Sequence, residues 1–228
     1  STSRGLGDVY KRQVETASDS SGFNFDIEVL KDYVEGAHLA AIAITNHNGF
    51  YRDNYDQVSK ALDIAVFPGA EINVTKLSGF GHVIIVADPA DIDDFASGMA
   101  TLAGECPGSS DHMSWERVVE LFPKISNWLI IPHYKKSKKL DSATLSHIQS
   151  TTGYDALEVA NAKKWLVERD GADAPLVVFS DCRPGLRMPD EDPDDNIRRY
   201  AYGYTYLQCN EMSFSSIKAA FANANNVE

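Results

Sequence analysis

Residues 39–48 read Leu-Ala-Ala-Ile-Ala-Ile-Thr-Asn-His-Asn, an unbroken apolar run that ends in four polar side chains. A short apolar run without alternation predicts a strand buried on both faces, as in a parallel sheet covered by helices. Its polar end matters as much, because parallel α/β folds bind ligands at the carboxyl ends of their strands. Working outward, similar runs recur at residues 64–67, 83–87, 128–131, 156–159, 176–179 and 205–207. Between them lie amphipathic segments at 27–37, 55–62, 92–102, 115–122 and 143–148, opened by Asp26, Asn54, Asp91, Ser114 and Ser142 as capping residues. The alternation predicts an α/β fold with a mostly parallel sheet, either open and doubly wound or closed into a barrel.

The residues at the strand ends form a set. After Thr45-Asn46-His47-Asn48 come Pro68-Gly69-Ala70-Glu71, Pro132-His133, Glu158-Val159-Ala160-Asn161 and Ser180-Asp181-Cys182-Arg183, while Gly81-His82 stands just before its run. One histidine after a strand is ordinary. Three of them, with Glu71 and Asp181, supply the mixture of imidazole nitrogen and carboxylate oxygen that suits zinc, manganese or iron. No Gly-x-Gly-x-x-Gly or Walker loop follows any strand, so nucleotide-binding folds lose their main support.

Composition sets wider bounds. The 228 residues are 43% hydrophobic and 24% charged, which is globular usage and not that of a disordered or fibrous chain. No run approaches the ~20 apolar residues of a membrane span and no basic-then-apolar leader opens the chain, so the expectation is a cytoplasmic protein without a membrane partner. Three widely spaced cysteines give neither a disulfide framework nor a zinc pair. A net charge of −12 argues against a broad basic surface for duplex DNA, although a metal-lined cleft on an acidic protein still accepts phosphate.

The order of the motifs resembles the PHP (polymerase and histidinol phosphatase) family of phosphoesterases. That family's pattern opens with Asp-Leu-His-x-His-Thr and continues through Thr-Asp-His-Asn, Pro-Gly-x-Glu, Gly-His, Pro-His and Ser-Asp-x-His. Here the corresponding residues are Gln13-Val14-Glu15-Thr16, Thr45-Asn46-His47-Asn48, Pro68-Gly69-Ala70-Glu71, Gly81-His82, Pro132-His133 and Ser180-Asp181-Cys182-Arg183. The resemblance implies a distorted seven-stranded (β/α) barrel and a metal-dependent phosphoesterase with one or two divalent ions, zinc, manganese or iron. It implies Glu15, His47, Glu71, His82, His133 and Asp181 as metal ligands, with Glu71, His133 and Asp181 at the centre of catalysis. In the family's second metal position, Glu71, His82 and His133 are all retained. In the family's third position only His47 is clear: Arg183 stands where the closing histidine would be and cannot ligate, so that third metal is expected to be lost. Arg183 and Lys135 are instead expected to contact substrate phosphate. The expected substrate is a phosphorylated small molecule or a nucleic-acid end.

Residues 3–13 match the translation of a common transposon-based sequencing adapter, which makes residues 1–13 an adapter-derived scar, residues 14–210 the barrel domain, and residues 211–228 a C-terminal helix leading toward a further domain. On that reading Gln13 is not the family's own residue. PHP-like proteins with a similar tail and a Thr-Asn-His-Asn-like motif resemble the N-terminal domain of larger P-loop ATPases of repair or defence. A downstream ATPase domain in cis is therefore an expected partner, and a catalytically weak regulatory module is the competing function. Lys135, Lys136, Lys138 and Lys139 are expected either to receive an anion or to solubilise the surface. His38, His112 and His147 are expected outside the metal set.

Overall fold

The computed structural model describes residues 8–11, 13–14, 25–179, 181–182, 205–223 and 226–227. In chain order the elements are β1 (Asp8–Lys11), β2 (Gln13–Val14), α1 (Ile27–Gly36), β3 (Ala41–His47), α2 (Arg52–Ala61), β4 (Ala65–Thr75), β5 (Phe80–Val86), α3 (Ile92–Glu105), α4 (Trp115–Leu121), β6 (Leu129–Lys135), α5 (Ser142–Thr151), β7 (Leu157–Val159), α6 (Ala162–Glu168), β8 (Leu176–Val177), β9 (Asp181–Cys182), β10 (Thr205–Gln208) and α7 (Phe214–Phe221). Every apolar run expected to be a strand contributes one. A separate ladder pairs β1 with β10 in antiparallel fashion, Asp8 opposite Gln208, so part of the adapter-like segment is a strand.

The main sheet is mixed and curled, in the order β8-β7-β6-β5-β4-β3-β2-β9. All its ladders are parallel except those of β5, which runs antiparallel to both β4 and β6. The cause is the connection between β4 and β5. Four residues, 76–79, join them, and a link that short can only turn the chain back on itself. Among the described residues no ladder joins β8 to β9, so the sheet is a half-barrel.

β3 has six buried residues before a half-buried His47, as expected of a strand covered on both sides. On one side α1 and α2 bring Leu30, Tyr33, Val34, Tyr55 and Val58 against Ile42, Ile44 and Val66. A larger core joins β4, β5 and β6 to α3 and α4, with Phe95, Phe122 and Trp128 in edge-on and stacked contact. The C-terminal α7 docks into this second core through Phe214, Ile217 and Phe221, at the helical spacing that the sequence shows.

Asp26 and Ser114 cap their helices as expected, accepting from Glu28 and Val29 amides and from the Arg117 amide. Two other caps differ from expectation. α2 begins three residues earlier than expected, after Tyr51, which leaves Asn54 inside it; α5 is capped by Asp141, whose carboxylate accepts from the Thr144 amide, and Ser142 is its first residue. Asp91 occupies the N-cap of α3 but turns its carboxylate to Lys124 and the Trp128 indole. No helix among the described residues is long and apolar enough to cross a membrane.

Candidate metal centre

Strand register brings the polar residues to one face. His47 is the partner of Glu71 across β3 and β4, Asn73 is the partner of His82 across β4 and β5, and His133 is the partner of Glu158 across β6 and β7. Glu71 and Asn73 are two residues apart on one strand and so point the same way. Opposed residues share a face, which chains His47, Glu71, Asn73 and His82 together, and the pairing of Val83 with Pro132 across β5 and β6 brings the adjacent His82 and His133 level. The antiparallel course of β5 explains His82: the start of that strand lies beside the ends of its neighbours. His82 sits inside β5, two residues after the strand begins, and does not precede it as the sequence suggests.

Glu71 is the hub. Its Oε1 lies 2.5 Å from His82 Nδ1 and its Oε2 lies 3.3 Å from His133 Nε2. The rings of His47 and His82 are 4.8 Å apart, and those of His82 and His133 are 5.0 Å apart. Donor atoms of His47, Glu71 and His82 all fall within 4.8 Å of one another, a group able to hold a metal ion. On the far side of His133, Glu158 Oε2 is 3.0 Å from Nε2, and Lys136 Nζ is 2.6 Å from Glu158 Oε1.

The burial of this cluster sets its electrostatics. Burial alone would raise the Glu71 carboxyl, but His133 and His82 hold it well below its ordinary range. Burial alone would lower His133, but the charge of Glu158 and contacts with both carboxylates push it up to about 9. His82 Nε2, His133 Nε2 and Glu158 Oε2 are buried and make no aligned hydrogen bond. Buried polar atoms in this state are costly and call for a ligand. Imidazole nitrogen with carboxylate oxygen is a donor set that fits a divalent cation.

Two neighbours fix the histidine rings. The Asn73 side-chain amide donates to the Asp111 and Ser109 carbonyls at 2.8 and 3.1 Å, which turns its Oδ1 toward His47 Nε2 at 2.8 Å. Nε2 therefore carries the proton and Nδ1 the lone pair in neutral His47. His133 Nδ1 faces the Ser137 carbonyl at 3.1 Å, which directs Nε2 to the carboxylates. The same loop grips β5 and β6: the His82 amide donates to the Lys138 carbonyl and the Leu140 amide to the His133 carbonyl. Gly81 permits the approach, because a Cβ there would lie 2.5 Å from Leu140 Cδ2 and 2.9 Å from the Lys138 oxygen. Lys138 and Asn48 both have left-handed backbones, with φ of 52° and 47°. Such strain in non-glycine residues gathers at functional sites.

The structure thus brings together His47, Glu71, His82 and His133 of the expected residues. Glu15 and Arg183 lie outside the described residues. Asp181 is described by its backbone alone, in β9, where it is the register partner of Gln13 in β2. Lys135 turns to Glu168 at 3.4 Å, and it is Lys136 that reaches into the cluster. His112 bonds Thr75 and His147 pairs with Glu116, both apart from the centre. Sequence reading placed Glu158 at a strand end but gave neither it nor Asn73 a role in the centre. Each shows a trace in the sequence as a polar residue within an otherwise apolar strand, Leu157-Glu158-Val159 and Ile72-Asn73-Val74.

No protein-family profile matches the chain, and no curated protein sequence matches it. Solved structures do. A two-domain protein of Bacteroides vulgatus containing a predicted PHP-like metal-dependent phosphoesterase aligns with a TM-score of 0.64 at 14% identity, over 97% of this chain. The chain spans 64% of the length of that protein. A presumptive metal-dependent phosphoesterase of Bifidobacterium adolescentis aligns with a TM-score of 0.54 at 12% identity, over 85% of this chain and 94% of that one. The fold is similar to that of PHP-like metal-dependent phosphoesterases.

Proposed function

We propose that the chain is a metal-dependent phosphoric ester hydrolase of PHP type, acting on a phosphate mono- or diester. The observation that carries this reading is Glu71, whose two carboxylate oxygens face different histidines, in a cluster that includes two buried histidine nitrogens without an aligned hydrogen bond. One or two divalent ions, zinc, manganese or iron, held by His47, Glu71, His82 and His133 would polarise a phosphoryl oxygen and lower the pKa of a water molecule.

The chain's own residues have distinct tasks on this reading. Glu71 offers negative charge to both sides of the cluster, and the histidines supply ring nitrogens, those of His47 and His133 in directions fixed by Asn73 and Ser137. Exposed Lys138 and Lys139 give a cationic rim to a protein of net charge −12, with Lys138 over the Phe80 ring that stacks on His82, which favours entry of a phosphate over other parts of the surface. Closure of the half-barrel into a PHP-type barrel would set Asp181 beside this group. The register of β9 with β2 and β2 with β3 supports that placement. Glu15 and Arg183 are proposed to complete the metal and phosphate contacts.

The test is metal content and phosphate release from a generic aryl phosphate, measured with added Mn²⁺ or Zn²⁺. The wild-type chain is compared with His133→Ala and with His147→Ala, whose histidine pairs with Glu116 away from the centre. Activity should disappear in the first variant and persist in the second. A wild type that binds no metal, or a His133→Ala protein with unchanged turnover, would favour the regulatory module over the enzyme.

A further inference from the structure

We infer that Lys138 and His112, seated on the Phe80 ring, form an anion subsite outside the metal centre, which selects phosphate esters bearing a second acid group on their alcohol part. This rests on the phosphoesterase reading above and names its substrate class. The subsite lies one layer outward from the metal ligands, on the same face of the β4–β5 hairpin.

Strand register places it. Asn73 pairs with His82, and Thr75 pairs with Phe80, two residues nearer the hairpin link. Residues two apart share a face, so Thr75 and Phe80 form the next layer outward, about 6.5–7 Å along the strand from His82. The Phe80 ring lies nearly parallel to that of His82, with centroids 5.9 Å apart, and His112 stacks on it at 5.6 Å. Lys138 Nζ stands over the same ring, 4.1 Å from its centroid. Thr75 Oγ1 engages His112 Nδ1 at 2.8 Å, which leaves Nε2 as the ring nitrogen for a ligand.

Lys138 is held there by its backbone. Its left-handed φ of 52° is strained for a residue with a Cβ, and its carbonyl accepts from the His82 amide. The lysine is thereby anchored to the strand that carries a metal ligand. Its neighbours are differently disposed: Lys135 and Lys136 face Glu168 and Glu158, whereas Lys138 has an aromatic seat and no carboxylate partner among the described residues. Asp111 and Asp141, in the flanking loops, accept from the Gly108, Leu77 and Thr144 amides. An aromatic face holds an ammonium in place without neutralising its charge. Lys138 therefore keeps that charge for an acid group, with exposed His112 on the same ring as a further contact.

The experiment compares phenylphosphonate with 4-carboxyphenylphosphonate, non-hydrolysable probes, the second of which holds two acid groups on a rigid ring at about that spacing. Dissociation constants are measured by calorimetry with added Mn²⁺ on the wild-type chain, Lys138→Ala, Lys138→Arg and Lys139→Ala. Phosphate release from the two corresponding aryl phosphates is followed in parallel. The wild type should bind the carboxylated probe at least tenfold more tightly. Lys138→Ala should cut that preference to threefold or less, and Lys138→Arg should keep it. Lys139→Ala removes equal charge from a side chain without the aromatic seat and should reduce the preference by no more than twofold. Equal binding of the two probes by the wild type, or binding of neither, overturns the inference. So does a preference that survives Lys138→Ala or falls equally in Lys139→Ala. The expected pattern of binding without phosphate release from either ester would spare the subsite and sink the proposed function; phosphate release without the preference would do the reverse.

Discussion

Glu71 stands directly opposite His47 in the parallel ladder of β3 and β4, the last pair in that register. Asn73, two residues further along β4, accepts from His47 Nε2 and pairs in register with His82. One strand therefore sets both the charge at the centre and the orientation of the ring facing it. Glu71→Gln keeps the shape and removes the charge, leaving the histidines without their shared carboxylate. Metal affinity should fall by a hundredfold or more while far-UV circular dichroism stays unchanged. Retained affinity, measured by chelator competition, would remove Glu71 from the centre.

Asn73 acts through His47. Its amide is fixed by the Ser109 and Asp111 carbonyls, and it is almost fully buried. Asn73→Ala frees the His47 ring to rotate and removes two hydrogen bonds to the Ser109 and Asp111 carbonyls, of which the second keeps Asn48 as a donor; the loss costs about 1–2 kcal/mol of stability. Metal affinity should fall ~10–100-fold, the usual effect of losing a group that orients a ligand. Thermal melting and metal titration separate the two effects, because saturating metal restores the second and only part of the first.

The pH dependence has a definite sign. His133 is pushed up to about 9 from an ordinary 6.5, so at neutral pH it holds a proton that a cation must displace. Metal affinity should rise between pH 7 and pH 9 by up to about tenfold per unit. The metal-free protein should show the opposite trend on that side. A raised histidine contributes stability that is complete below its unfolded value and is lost as pH rises through about 9. Glu71, held low, contributes stability that is present above the ordinary carboxylate range and is lost on acidification. Metal-free melting temperatures that stay level from pH 6 to pH 9 would contradict the burial and charge assigned to His133.

How much of this was readable in sequence depends on the residue. The β3 run and His47 were legible because an apolar strand stops where its polar end begins. For β4 only the apolar run 64–67 was legible, yet the strand continues through Pro68-Gly69 to Thr75. The clue was the alternation Glu71-Ile72-Asn73-Val74, which puts two polar side chains on one face at strand spacing. The reversed direction of β5 was implicit in the four-residue link 76–79. Glu158 was harder. A three-residue strand gives too few positions for any periodicity, and only its register with His133 shows what the carboxylate faces.

Gly81 tests whether the loop after β6 positions the histidines. A methyl group at this position would press on Leu140 and on the Lys138 and Lys139 carbonyls, at 2.5, 2.9 and 3.0 Å. Backbone cannot yield as a flexible side chain does, so Gly81→Ala should cost about 1–3 kcal/mol, the range for overpacking. It should also shift the Lys138 carbonyl that receives the His82 amide, and with it the direction of His82. Weaker metal binding together with a lower melting temperature is the expected result. A lower melting temperature with unchanged metal affinity would show that the loop only braces the fold.

Gln13 offers a gain-of-function test. It lies in β2, level with Asp181 on one side and Ala43 on the other, on the strand that in the PHP pattern carries the opening histidines. Glutamine is a poor ligand for zinc or manganese beside imidazole and carboxylate. If residues 1–13 are adapter-derived, the position has lost a donor that the remaining centre was built around. Gln13→His should then raise metal occupancy and speed phosphate release from an aryl phosphate, because an added ligand holds the cation more firmly. The size of the effect depends on how many donors the other residues already supply, so Gln13→Ala is the matched control. Equal metal content in Gln13→His, Gln13→Ala and the wild-type chain would separate β2 from the metal centre and leave Glu71 and its histidines to hold the ion alone.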